Sequence, residues 1–261
     1  KYTDAVYAAY STYSFRVNKW SYQLGLRAES SNYTGTLLNS NGADSASFSV
    51  KFPLSLFPSA FITYKIDEKQ DFQINYSRRV NRPNFFQLMP FPDYSDPQNI
   101  NVGNAGLSPE FTNSFEMSWN NAYKKGANFL ATAFYKHSTN LITRYVYRDA
   151  NALIPGDSAF FSTFINANSA RSFGLELTNK MSLTPWWEMT VNLNIFNSRI
   201  NATVPGQPDL VQEQWSWFTK MNNTFKVAKG LSIQLSGDYQ AKTVLPQSGG
   251  GGGRGGMMWG G

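Results

Sequence analysis

A chain of 261 residues with 41% hydrophobic and 15% charged residues has no apolar run approaching the ~18 residues that a spanning helix needs, which excludes a helical membrane protein. The net charge of +6 comes from basic residues scattered singly along the chain, against a nucleic-acid partner, and the lack of cysteine excludes disulfides, zinc ribbons and thiol chemistry. A mean hydropathy below zero still admits a β-barrel, which spends only alternate residues on lipid.

Period-two alternation predicts about ten strands, over residues 4–16, 20–31, 46–66, 71–80, 111–123, 127–148, 160–183, 186–199, 212–227 and 231–244. In the third run Pro53 and Pro58 each remove a ladder donor, so it is either one strand with a bulge or two short pieces. In the fifth, Phe115, Met117 and Trp119 oppose Ser114, Glu116, Ser118 and Asn120. The seventh sets Phe173, Leu175, Leu177, Met181 and Leu183 against Glu176, Thr178, Lys180 and Ser182, and the eighth sets Trp187, Met189, Val191, Leu193 and Ile195 against Glu188, Thr190, Asn192 and Asn194. The last opposes Leu231, Ile233, Leu235 and Tyr239 to Gln234, Ser236, Asp238 and Gln240. A glutamate facing lipid costs about 2 kcal/mol or more, so Glu176 and Glu188 are expected to point into a wet or polar interior.

Connectors alternate in length. Tight ones centre on Asn18, on residues 67–70, on Lys125, on Pro185 and on Lys229; long ones are expected at 33–45, 81–108, 149–157 and 201–210, with a Gly-rich tail after Leu245. Phe15, Trp20, Tyr22, Tyr64, Phe72, Tyr123, Phe129, Trp186, Trp187 and Phe225 sit beside the tight turns, where an interfacial girdle belongs. Short turns at one end and long polar loops at the other lead to the expected fold class: all-β, an antiparallel transmembrane β-barrel, with residues 1–261 forming part of one outer-membrane barrel domain. Several runs exceed the ~9–11 residues that cross a bilayer and are expected to project beyond it. Without an apolar leader, and with 248–261 a Gly-rich loop or unfinished end, the chain reads as an internal piece of a longer protein. Outer-membrane lipid and lipopolysaccharide are the expected surroundings, and attraction to the latter accounts for part of the positive charge.

The densest stretch runs Tyr76-Ser77-Arg78-Arg79-Val80-Asn81-Arg82-Pro83, then Leu88-Met89-Pro90-Phe91, Tyr94-Ser95-Asp96-Pro97 and Gly103-Asn104-Ala105-Gly106-Leu107-Ser108-Pro109-Glu110. With Trp20-Ser21-Tyr22-Gln23-Leu24-Gly25-Leu26-Arg27-Ala28-Glu29, and Asn166 followed by Ser172-Phe173-Gly174-Leu175-Glu176, this order resembles the C-terminal barrel of the TonB-dependent receptor superfamily, in its outer-membrane β-barrel branch. The resemblance covers residues 7–247 and departs from the branch at Ala105, where proline is usual. It implies a whole barrel of about 22 strands, of which this chain supplies fewer than half, closed by a plug that is not present in these residues. It further implies energy coupling through the periplasmic protein TonB, acting on that plug and its Ton box, and allows a surface lipoprotein as a further partner. The implied role is active uptake of a large scarce nutrient, whether iron chelate, oligosaccharide or peptide. A passive porin and a secretion-associated or structural scaffold remain as alternatives.

Candidate ligand contacts are Arg78, Arg79, Arg82, Phe85, Phe86 and Tyr94. Guanidinium groups grip carboxylates and phosphates bidentately, although pairing with lumenal or loop acids such as Asp93, Asp96 or Glu110 to fix the loop is the favoured role. The apolar set Phe85, Phe86, Leu88, Met89 and Phe91 suits either a ligand vestibule or, preferably, packing between loops. His137, the only histidine, shares a face with Phe129, Ala131, Ala133 and Tyr135 near the outer interface, which suits neither catalysis nor a metal site. No enzyme activity, cofactor or metal is expected.

Overall fold

The computed structural model describes residues 1–38, 44–203 and 210–243. Ten long strands form one antiparallel sheet in chain order: β1 (Tyr2–Val17), β2 (Trp20–Leu38), β3 (Asp44–Lys65), β4 (Gln70–Asn81), β6 (Glu110–Lys124), β7 (Ala127–Ala150), β8 (Ser158–Thr184), β9 (Trp187–Ala202), β10 (Leu210–Ala228) and β11 (Leu231–Gln240). A four-residue helix α1 (Phe85–Leu88) and a short strand β5 (Asn99–Asn101) lie between β4 and β6. Each of the ten expected runs is a strand. Among the described residues β1 pairs only with β2 and β11 only with β10, so the sheet is a length of barrel wall with two edges.

The tight turns form where the chain supplies residues suited to them. Asn18 takes φ 54 between β1 and β2, and Gly126 and Gly230 take φ 75 and 82, all in the left-handed region that Asn and Gly enter at least cost. Between β3 and β4 the carboxylate of Asp67 accepts from the amides of Lys69 and Gln70 at 2.7 and 2.9 Å.

Register then carries each alternation into its neighbour. One pairing row runs Leu24, Ala60, Tyr76, Phe115, Tyr135 and Phe173, and the next apolar row runs Ile62, Ile74, Met117, Ala133, Leu175, Ile195 and Trp217. This outward face leaves large side chains uncovered, Leu235 to 61% and Phe115 to 51%, over an area that no soluble monomer leaves bare. The rows between are polar and hydrogen-bonded among themselves: Asn120 Nδ2 donates to Asp71 at 2.9 Å, Asn192 Nδ2 to Glu176 at 3.1 Å and to Thr178 at 2.8 Å, and Ser118 meets Thr132 at 3.0 Å. Glu176 and Glu188 thus lie on the inner face; Glu188 receives Lys226 Nζ at 2.5 Å. At the tight-turn end the girdle rings touch, as in Phe15–Tyr22 (4.8 Å), Trp20–Tyr64 (4.6 Å) and Trp187–Phe225 (5.7 Å).

Two expectations need correction, and one open alternative is decided. The segment 33–45 is mostly strand, because β2 and β3 stay paired through Tyr33↔Val50 and Gly35↔Phe48 up to Leu38↔Asp44; beyond the bilayer water bathes both faces, so the apolar alternation fades while backbone pairing continues. The segment 81–108 is not an open loop but holds α1 and β5. The prolines do not divide β3: it is one strand, bulged where Pro53 and Leu54 together oppose Ser30, and its pairing with β4 starts only at Ser59, so both prolines lie where that edge carries no ladder. The last strand ends at Gln240, short of the expected 244, and the tail 248–261 and most of the 201–210 connector lie outside the described residues.

Candidate functional site

β8 is 27 residues long and β7 is 24, so both rise well past any bilayer at the long-loop end. There the segment between β4 and β6 folds back over the inner face. Asn84 starts the turn: its side chain accepts from Gln87 N (3.0 Å) while Gln87 Oε1 accepts from Asn84 N (2.9 Å), a reciprocal capping box. The turn drives Leu88 into a buried cluster with Tyr33, Phe52, Leu107 and Ile142. Tyr33 and Phe52 come from β2 and β3 and Ile142 from β7, so the sheet must curve to bring them around one side chain.

Gly103 and Asn104 tie the turn to the wall. Gly103 N donates to Met89 O (2.8 Å) and Asn104 N to Gln87 O (2.7 Å); a Cβ at Gly103 would stand 2.5 Å from Met89 O and 2.6 Å from Phe86 O, so only glycine fits that approach. Asn104 Nδ2 then donates to Phe164 O at 3.0 Å, and Asn166 Oδ1 accepts from Ser108 N (2.8 Å) while its Nδ2 donates to Ser108 O (2.9 Å) and Asn140 O (2.7 Å). β5 pairs in parallel with residues 160–162 of β8, below which β9 begins its pairing only at Ser169, so β5 covers an edge that β9 does not reach. Asn151 Nδ2 completes the seam on Pro97 O at 2.8 Å.

An ion cluster anchors the root of this segment. Glu29, on the inner face of β2 and only 5% exposed, accepts from Arg27 Nε at 2.7 Å and pairs with Arg82. The acid that Arg82 meets is therefore Glu29 and not Asp93, Asp96 or Glu110: Asp93 and Asp96 cap their own turns through Ser95, Gln98 and Asn99, and Glu110 receives Asn81 Nδ2 at 3.4 Å. Burial, then the like charge of Arg27, holds the Arg82 guanidinium below its ordinary pKa, with Asp4 opposing. Hydrogen bonds from the Ser95 side chain and amide lower Asp93, and those from Asn99 and Gln98 lower Asp96.

The six candidate residues therefore divide. Arg82 is held by Glu29, and Phe85 packs between Tyr2 (4.4 Å) and Phe48 (6.2 Å). Arg78 lays its guanidinium 4.9 Å from the ring of Phe111, which stacks on Phe57 where β3 parts from β4. Its neighbour Arg79 falls on the other face, in the row of Thr112 and Ser138, and is exposed there. Phe86 is 73% exposed and Tyr94 is exposed as well. The strand row of His137 includes Asn113 and Arg171, at the outer limit of the apolar face. Among the described residues no group of His, Cys, Asp and Glu side chains is placed to hold a metal. Glu29 was legible only as an Arg-x-Glu pair sharing one strand face; nothing in the sequence pointed from it to Arg82.

Residues 1–257 match the model of the outer membrane protein beta-barrel family. No curated protein matches the chain. Among solved structures, the siderophore receptor PiuA of Acinetobacter baumannii aligns with a TM-score of 0.60 at 18% identity, covering 92% of this chain and 33% of that one. The hemophore receptor HasR of Serratia marcescens, in complex with its hemophore and heme, aligns at 0.57 and 11% over 91% and 51%. The siderophore receptor PirA of Pseudomonas aeruginosa aligns at 0.53 and 15% over 89% and 52%. At such identities the likeness is one of fold, and the chain spans about half or less of each structure.

Proposed function

The chain belongs to the outer membrane protein beta-barrel family, and from that premise we propose that it builds part of the wall and mouth of a TonB-dependent receptor, which takes up a large, scarce nutrient through a plugged barrel. Its place is the cell outer membrane, with the apolar rows against lipid and the polar rows against the interior. The observation that carries the transport reading is the packed segment at the mouth: 28 residues ordered over the inner rim make the rigid platform that a receptor needs to present side chains to an incoming ligand. On this reading the ligand contacts are Phe86 and Tyr94, exposed on that platform, and Arg79, exposed on the inner face of β4, while Arg82 and Phe85 hold the platform in shape and Arg78 packs on Phe111 of the wall. The similar solved structures include two siderophore receptors and a hemophore receptor in complex with its hemophore and heme, which makes an iron chelate the first ligand class to try.

The chemistry asked of the chain is binding and orientation, with no bond made or broken. A plug pulled by TonB would supply the opening step. The test is uptake of labelled ferric siderophores and heme by cells carrying or lacking the gene, with and without the energy-coupling protein. Uptake that needs both is the expected result. Uptake that persists without coupling would replace this reading with a passive pore, and none for any nutrient class would favour a scaffold.

A further inference from the structure

On the outward face of β8 the order from the tight-turn end upward is Leu177, Leu175, Phe173, Arg171; on β10 it is Met221, Thr219, Trp217, Trp215, Glu213. Apolar side chains give way to aromatic ones and then to charge. Arg171 and Arg199 face each other directly across β8 and β9, and Glu213 faces Arg199 from β10. Its carboxylate lies 3.4 Å from Arg199 and 3.9 Å from Arg171. Like charges opposed on neighbouring strands destabilise a sheet, and one carboxylate neutralises only one of the two guanidiniums. A positive charge is left over, on side chains that are a third or more exposed and point away from the interior.

The height is informative too. Counting from Thr184 at the rise and tilt of barrel strands, Arg171 stands about 30 Å above the turn, just past an apolar band about 25 Å tall. Immediately below, Phe173 and Trp215 meet edge to face at 5.6 Å and bury Asn197 to 2% exposure. Rings at the top of the apolar band, with a guanidinium pair that Glu213 only half neutralises just above them, match a lipid that has fatty chains below and phosphate above.

We infer that Arg171 and Arg199, above Phe173 and Trp215, form a binding site for the phosphorylated headgroup of the glycolipid in the outer leaflet. Planar guanidiniums take a phosphate bidentately, and Glu213 keeps them splayed while competing with the ligand for one of them. The inference rests on the outer-membrane setting and is independent of whether the barrel transports anything.

The test uses the whole gene product in nonionic detergent, stripped of lipid and titrated with bis-phosphorylated lipid A or its dephosphorylated form by native mass spectrometry. The wild-type protein is expected to favour the phosphorylated form by about tenfold or more, and R171A/R199A to lose that preference while keeping the heat-modifiable migration of a folded barrel. E213Q removes the carboxylate that competes with the phosphate and is expected to tighten binding by about threefold or more, a sign that a purely structural ion cluster does not predict. Inorganic phosphate alone, at about 10 mM, is expected not to displace the lipid, because it makes no contact with Phe173 and Trp215. Equal affinity for the two lipids, an unaltered preference in R171A/R199A, weaker binding in E213Q, or full displacement by free phosphate would each overturn the proposal.

Discussion

Replacing Asn166 by alanine should release the mouth segment without unfolding the wall. One carboxamide makes three hydrogen bonds there, from Ser108 N and to Ser108 O and Asn140 O, all between 2.7 and 2.9 Å. Each such bond contributes about 1 kcal/mol net where water can reach the freed groups, so the loss comes to about 3 kcal/mol, or about a hundredfold in the local opening equilibrium. Hydrogen exchange on the whole gene product in detergent should show that acceleration in peptides from 103–110, with β9 and β10 unchanged. Asn166→Asp keeps an acceptor for Ser108 N and loses both donors, so it should fall between the two. Unaltered exchange in 103–110, or equal acceleration in β9, would refute the idea that this side chain pins a locally opening unit.

Glu29→Gln should be more damaging than its size suggests: two guanidiniums lose the buried carboxylate between them, at a cost of about 3 kcal/mol, seen as faster proteolysis within 82–109 and a lower thermal midpoint. The paired change E29L/R82M should recover much of that loss, and no recovery would count against the cluster. Met221→Arg, on the outward face, should cost about 2–4 kcal/mol in refolding titrations into bilayers, and Asn222→Arg, one residue on and facing inward, about 1 kcal/mol or less; equal costs would contradict the assignment of faces. Asp93 and Asp96 have folded pKa values below the ordinary 3.8, so what they add to the loop is fully present above that value and is lost as pH falls through the lower folded values. Amide protection at Ser95 and Gln98, corrected for intrinsic exchange, should therefore drop as the pH falls below 3.8, and D93N should remove part of the pH dependence.

Arg82, Phe85 and Leu88 stand in the segment richest in ligand-like chemistry, and their contacts fasten that segment down, the pairing and packing role favoured for them from the sequence. The Gly103-Asn104 and Asn166 positions, which carried the family resemblance, make backbone contacts that no other side chain of that size and donor pattern reproduces. A motif that looks like a binding loop is here chiefly a packing device, and of its large apolar and aromatic side chains Phe86 and Tyr94 stay exposed.

Within the bilayer the amino-acid order alone was enough to define strand number, turn positions, the two faces and the aromatic girdle. Lipid on one side and water on the other impose a period of two on every residue that crosses, and that contrast is written locally. Above the bilayer water lies on both sides and the contrast vanishes, so the continuation of β2 and β3, the pairing of β5 with β8 and the meeting of Glu29 with Arg82 depended on contacts between residues 53 or more positions apart or on backbone bonds indifferent to side-chain type. Only the curvature of the assembled sheet could bring Tyr33, Leu88, Leu107 and Ile142 to one point.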